Sequence, residues 1–127
     1  MSSMSNTSVN TSFYSLYFNN NTTDTNYYIQ NLYASSTSVG GERANSSRML
    51  GLTTTSKSID VVKFKLTNSG YIVYQCNSTK PLSSAVEIGC VYATTTFTAT
   101  SVTEVRVTGS VANSIGIGSR FQLYKIN

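Results

Sequence analysis

The chain has 127 residues and a formal charge of +4 from nine Lys and Arg against five Asp and Glu, with one Pro, two Cys and no His. That length suits one core of ordinary size and is too short for a second. The lack of His removes the commonest general base and metal ligand, nine Tyr and five Phe argue against disorder, and no apolar run is long enough to cross a bilayer.

The first ten residues are polar and lack the basic and apolar stretches of a secretory signal, so synthesis in the cytosol is expected. Residues 1–11 read as a polar N-terminal arm and residues 12–127 as a single domain. Period-two alternation begins at residues 12–18, where Tyr14, Leu16 and Phe18 share a face. The Asn- and Thr-rich stretch at 19–25 is a hairpin loop by composition. It leads to a second strand at 26–33, with Tyr27, Ile29 and Tyr33 set against Tyr28, Gln30 and Leu32.

Residues 35–47 contain Gly40-Gly41 and little that is apolar, which predicts the longest exposed loop. A short strand at 48–52 follows. The next, at 58–66, turns Val62, Phe64 and Leu66 one way and Lys63 and Lys65 the other, the pattern of a half-buried strand. Thr67-Asn68-Ser69-Gly70 is a turn into a strand at 71–77, and residues 78–84 with Pro81 form a connection to a strand at 86–93. Phe97 lies in a Thr-rich continuation. Val105 and Val107 point inward from a strand at 102–108, and Gly116 and Gly118 precede a closing strand that runs to Ile126. Eight to nine short strands without a helical segment predict an all-β, antiparallel β-sandwich, jelly-roll-like. Edges rich in Thr and Tyr but poor in Lys and Pro call for a neighbouring subunit to cover them.

Asp24, Glu42, Asp60, Glu87 and Glu104 fall one to an element, with no paired-carboxylate spacing, so neither an enzyme nor a cofactor is expected. Cys76 and Cys90 cannot make a zinc site without His or further Cys, and cytosolic assembly favours buried free thiols. The basic residues never form a run, which speaks against a nucleic-acid partner, and no membrane association is expected. Gly40, Gly41, Glu42, Arg43 and Arg48, in or beside the predicted loop, are the candidate partner-docking surface, because long loops on rigid sandwiches carry recognition. Tyr27, Tyr28 and Tyr33, with Tyr14 and Tyr17 nearby, are candidates either for a subunit interface or for a glycan platform.

Three segments carry a resemblance. Gly118-Ser119-x-Phe121-x-Leu123-Tyr124-x-Ile126 resembles the closing strand of small tailed-bacteriophage virion proteins. The stretch from Leu16 through Asn21, Asn26-Tyr27-Tyr28-Ile29-Gln30 and Leu32-Tyr33 is similar to their hairpin. Val105-Arg106-Val107 with Ser114-Ile115-Gly116-Ile117-Gly118 resembles their penultimate strand and the loop after it. The short, Pro-free front of the chain differs from relatives that carry a further strand there. The resemblance implies a capsid decoration or cement protein, located in the virion and assembled in the host cytoplasm. Its implied partners are itself, as a homotrimer, and the major capsid protein or another virion protein. The alternative it implies is a tail-fibre, tail-tip or head-fibre module that binds a host receptor or glycan.

Overall fold

The structure is a computed structural model that describes residues 2–5, 12–35, 37–52, 57–81, 86–112, 114–116 and 119–125. Its strands are β1 (Ser2–Ser5), β2 (Ser12–Phe18), β3 (Tyr27–Ser35), β4 (Ser38–Asn45), β5 (Arg48–Leu52), β6 (Lys57–Leu66), β7 (Tyr71–Pro81), β8 (Val86–Thr98) and β9 (Val105–Gly109), with a 3-10 turn at Asp24–Asn26 before β3. They make an antiparallel β-sandwich: a six-stranded sheet in the order β1-β6-β7-β8-β3-β4 faces a three-stranded sheet in the order β5-β2-β9. The all-β, antiparallel β-sandwich expectation holds, and the nine strands fall within the eight to nine predicted. Among the described residues no helix is long and apolar enough to cross a membrane.

The core forms where β2 lies over the larger sheet. Tyr14, Leu16 and Phe18 from β2 meet Tyr27, Ile29, Ile72, Tyr74, Cys76 and Val91, all buried. Phe18 stands at the centre, with ring centroids 5.3 Å from Phe64 and 5.4 Å from Tyr74. Such tilted aromatic contacts add to the free energy of burial, which is the dominant stabilising term here. Val62, Phe64 and Leu66 pack against this core while Lys63 and Lys65 face solvent, as their alternation predicts. Gly70 closes the β6–β7 turn at φ +83°, a conformation that an L side chain adopts only with strain.

Toward the far end of the inner face the core turns polar. Buried Asp60 accepts from Ser58 Oγ, and Lys80 reaches Glu87 at 2.8 Å with its side chain only 5% exposed. Burial pushes the Asp60 carboxyl above its ordinary value, partly offset by hydrogen bonds from Ser58 and Ser78.

Four sequence expectations are corrected. Residues 38–45 are a strand and no loop: β4 pairs with β3 from Tyr28 opposite Asn45 to Ser35 opposite Ser38. Gly40 sits directly opposite Tyr33, whose ring occupies the space that a Cβ on Gly40 would fill, 2.6 Å away. An aromatic ring laid over a cross-strand glycine keeps the glycine in the sheet, which a reading of Gly-Gly as loop overlooks. Likewise, residues 78–81 continue β7, with Pro81 opposite Val86 at the sheet's end, and β8 runs unbroken through Phe97.

The third correction concerns the C-terminal segment. Residues 119–125 form only an isolated bridge at Arg120, with Phe121 47%, Leu123 75% and Tyr124 66% exposed. Alternation is a local pattern, whereas burial needs a partner strand and a facing layer, and beyond the bridge at Arg120 these residues pair with no described strand. Gly118 and Ile126, the ends of the predicted strand, lie outside the described residues. At the other terminus, Ser2–Ser5 of the predicted arm pairs with β6 as an edge strand, and residues 6–11 lie outside the description.

The fourth concerns the thiols. Cys76 lies opposite Val91 and Cys90 opposite Asn77, so the two cysteines are close in register but on opposite faces of the sheet. Both are free, and only Cys76 is buried; Cys90 is half-buried on the outer face.

Candidate functional site

The acidic residues are committed to the fold. Asp24 accepts from Tyr17 Oη at 2.8 Å and from Ser47 Oγ, Glu42 pairs with Arg48, Glu87 with Lys80, and Glu104 with Arg106 at 2.7 Å, while Asp60 is buried with its serines. Among the described residues no cluster of His, Cys, Asp or Glu could hold a metal ion.

The candidate docking residues fall on both faces of the β4 edge. Arg48, at the start of β5, is held by its ion pair with Glu42 and lies over the Phe13 ring, 4.6 Å from its centroid. Gly40 is covered by Tyr33 on the inner side. Gly41 and Arg43 instead face outward, Gly41 opposite Leu32 and Arg43 opposite Gln30.

The candidate tyrosines also separate. Tyr27 is fully buried, and so cannot form a glycan platform; its ring packs edge-on to Tyr17 at 5.7 Å and to Phe97 at 5.8 Å. Tyr14 and Tyr17 are core residues as well, and Tyr33 points to the inner side over Gly40. Tyr28 alone of the group stands on the outer face, where it is 50% exposed.

That outer face of the six-stranded sheet is the surface that the fold leaves open. Strand alternation and the pairing register place its side chains in rows that cross the strands. At one end lies an aliphatic patch of Val39, Leu32, Ile88, Val86 and Ile59, with Val39 83% exposed and the others 50% or more. The next row reads Gly41, Leu32, Cys90, Asn77, Val61, and Cys90 Sγ donates to Asn77 Oδ1 at 2.9 Å.

Beyond it the chemistry changes. One row runs Arg43, Gln30, Tyr92, Gln75, Lys63, and the following one Asn45, Tyr28, Thr94, Val73, Lys65. Gln75 Nε2 is 3.4 Å from Tyr92 Oη and 3.1 Å from Asn77 Oδ1. Lys63, Lys65, Val73, Gln75 and Tyr92 line a shallow hollow of about 310 Å³. No described acidic residue shares this face, so its three cations, Arg43, Lys63 and Lys65, give it an unbalanced positive potential. Sequence alternation had already turned Lys63 and Lys65 outward. The involvement of Tyr92, Gln75 and Gln30 had no local signal, because it depends on the β7–β8–β3 register.

A second hollow, of about 820 Å³, opens at the end of the sandwich between the β6–β7 turn, residues 97–101 and the Asn loop. Asn19, at φ 53°, anchors one wall: its Oδ1 accepts from Thr103 N at 2.8 Å and its Nδ2 donates to Ser101 O at 2.7 Å. Its described lining carries no charged side chain. The chain matches no protein family, no curated protein and no solved structure.

Proposed function

We propose that the protein is a non-enzymatic structural component of a phage virion, a decoration or cement protein that binds the outer capsid surface and bridges neighbouring subunits as a homotrimer. The observation that carries a docking role is the aliphatic patch at the Val39–Ile88 end of the open face. A cluster of exposed aliphatic side chains of this kind on a sheet face marks a site that another protein covers. The three sequence segments that resemble phage virion proteins supply the setting, and the major capsid protein is the partner that the setting names. Contacts of modest individual strength, repeated by the symmetry of a shell, would stabilise it through avidity and mass action.

Quantitative mass spectrometry of purified particles tests this. Hundreds of copies per particle, lost when Leu32→Asp and Ile88→Asp are introduced together, is the expected result. A handful of copies at a tail or vertex would overturn the capsid assignment.

A second reading, a tail-fibre or head-fibre module that binds a host-surface glycan, is favoured by one observation. The tyrosine and amide half of the open face, with Tyr28 and Tyr92 each at least 50% exposed, has the side chains that stack on and hydrogen-bond to sugars.

A further inference from the structure

We propose that the hollow bounded by Tyr92, Gln75, Lys63 and Lys65 is a binding site for an acidic saccharide, one whose sugar rings carry carboxylates. The inference deepens the glycan-binding reading and rests on it for the ligand's general class. It does not require that the aliphatic end of the face dock on a capsid.

The argument starts from the register. Lys63, Gln75 and Tyr92 occupy directly paired positions on β6, β7 and β8, so their side chains rise side by side from neighbouring strands spaced ~4.8 Å apart. Lys65 is two residues along β6 from Lys63, ~7 Å away on the same face, with Val73 opposite it. The floor is thus a small aliphatic side chain, one wall an aromatic ring, and the opposite rim a pair of ammonium groups. Tyr92 is 53% exposed, which leaves its ring open for stacking by the C–H face of a sugar. Gln30, on the far side of Tyr92, presents an amide that can donate to and accept from hydroxyls, and Gln75, whose Nε2 is turned to Asn77 and Tyr92, offers its amide oxygen as an acceptor. The two lysines make no ion pair among the described residues, so they are available to a ligand carboxylate.

The absence of any described acid on this face decides the ligand's charge. A neutral sugar would make no use of Lys63 and Lys65, and a second copy of the same face would set cation against cation. An acidic protein segment would find a single exposed aliphatic side chain here among the described residues, Val73, because Val39, Leu32, Val86, Ile88 and Ile59 gather at the other end. Single-stranded nucleic acid would be held by cations tracking one backbone path, whereas Arg43 and Lys63 stand at opposite margins, four strand spacings or ~19 Å apart. A hollow of about 310 Å³ is at the small end of ligand sites and suits a short stretch of saccharide. Affinity at one site would be modest and would rise with repeated copies.

Titration calorimetry of the full chain against oligogalacturonate, dextran of matched length, poly-L-glutamate and oligo-dT tests the assignment. Oligogalacturonate is expected to bind, with affinity falling as salt rises from low to physiological ionic strength. Tyr92→Ala and the double variant Lys63→Gln, Lys65→Gln should each weaken it at least tenfold with unchanged melting temperature. Backbone amide NMR shifts on titration should centre on residues 63, 65, 75 and 92, a readout that survives if a variant fails to fold. Equal binding of dextran would keep the glycan reading and overturn the acidic class. Equal binding of poly-L-glutamate would reduce the site to charge attraction and overturn it, as would tighter binding of oligo-dT. No binding of either saccharide would overturn both the site and the glycan reading.

Discussion

Tyr27 of β3 reaches across the sandwich to Phe18 at the end of β2: its hydroxyl accepts from the buried Phe18 amide at 3.0 Å and donates to Asn21 O at 2.7 Å. One phenol therefore joins the two sheets and satisfies backbone that leaves the β2–β9 ladder. Tyr74 is the contrasting case, since its hydroxyl is buried without a hydrogen-bond partner. Burial raises both phenols above the ordinary tyrosine value. Tyr27→Phe should cost about 1–3 kcal/mol, because it strands a buried N–H. Tyr74→Phe should cost nothing or stabilise slightly, for it removes only an unsatisfied group. Urea denaturation of the two variants side by side checks both, and an equal loss from each would show that the hydroxyl bridge is not the cause.

The thiols should differ in reactivity. Cys76 is fully buried and burial pushes its thiol far up, whereas Cys90 is half-buried on the open face. Native protein treated with a maleimide should take up a single label, mapped by mass spectrometry to Cys90, and a second only after unfolding. Because Cys90 lies opposite both Leu32 and Asn77, it also reports on the face: a partner seated on the aliphatic patch should slow its labelling.

Asp60 makes stability depend on pH. Its folded-state carboxyl lies above the unfolded value of 3.8 because of burial, so the folded chain holds that proton to higher pH than the unfolded chain. In the window from 3.8 up through the folded value the folded state binds more protons, and stability falls as pH rises. Asp60→Asn retains an oxygen to accept from Ser58 and removes the charge. The stability difference between variant and parent should therefore move in the variant's favour as pH climbs from 3.5 to 7 or so. Thermal melts across that range decide it, and a difference that stays constant would rule out a titrating Asp60.

Phe18 and Phe121 separate core from surface. Phe18→Ala leaves a cavity between Phe64 and Tyr74 and should cost about 3–5 kcal/mol. Phe121→Ser with Leu123→Ser, at positions 47% and 75% exposed, should change stability by less than about 1 kcal/mol. A large loss from the second pair would mean that the C-terminal segment is tied into the sheet after all.

Much of the sandwich was legible locally. Alternation is a property of neighbouring residues, so Tyr14-Leu16-Phe18 and Val62-Phe64-Leu66 revealed their buried faces without reference to anything distant. Gly40 and Phe121 misled for the opposite reason. Gly40 reads as loop until Tyr33 is placed opposite it, and Phe121, Leu123 and Tyr124 read as a strand although no sheet pairs with them beyond Arg120. The candidate site was legible only in fragments, with Lys63 and Lys65 correctly outward, Tyr28 correctly set on the face opposite Tyr27, and Tyr27 wrongly offered as a platform.

By itself, then, the sequence determined the all-β class, the outward lysines and the scarcity of catalytic groups, because composition and period-two patterning carry those directly. Only the tertiary structure decided which faces are covered. Whether a tyrosine is core or surface, and whether Gln75 stands beside Tyr92, depends on pairing between strands far apart in sequence, and on a three-stranded sheet that covers just one side of a six-stranded one.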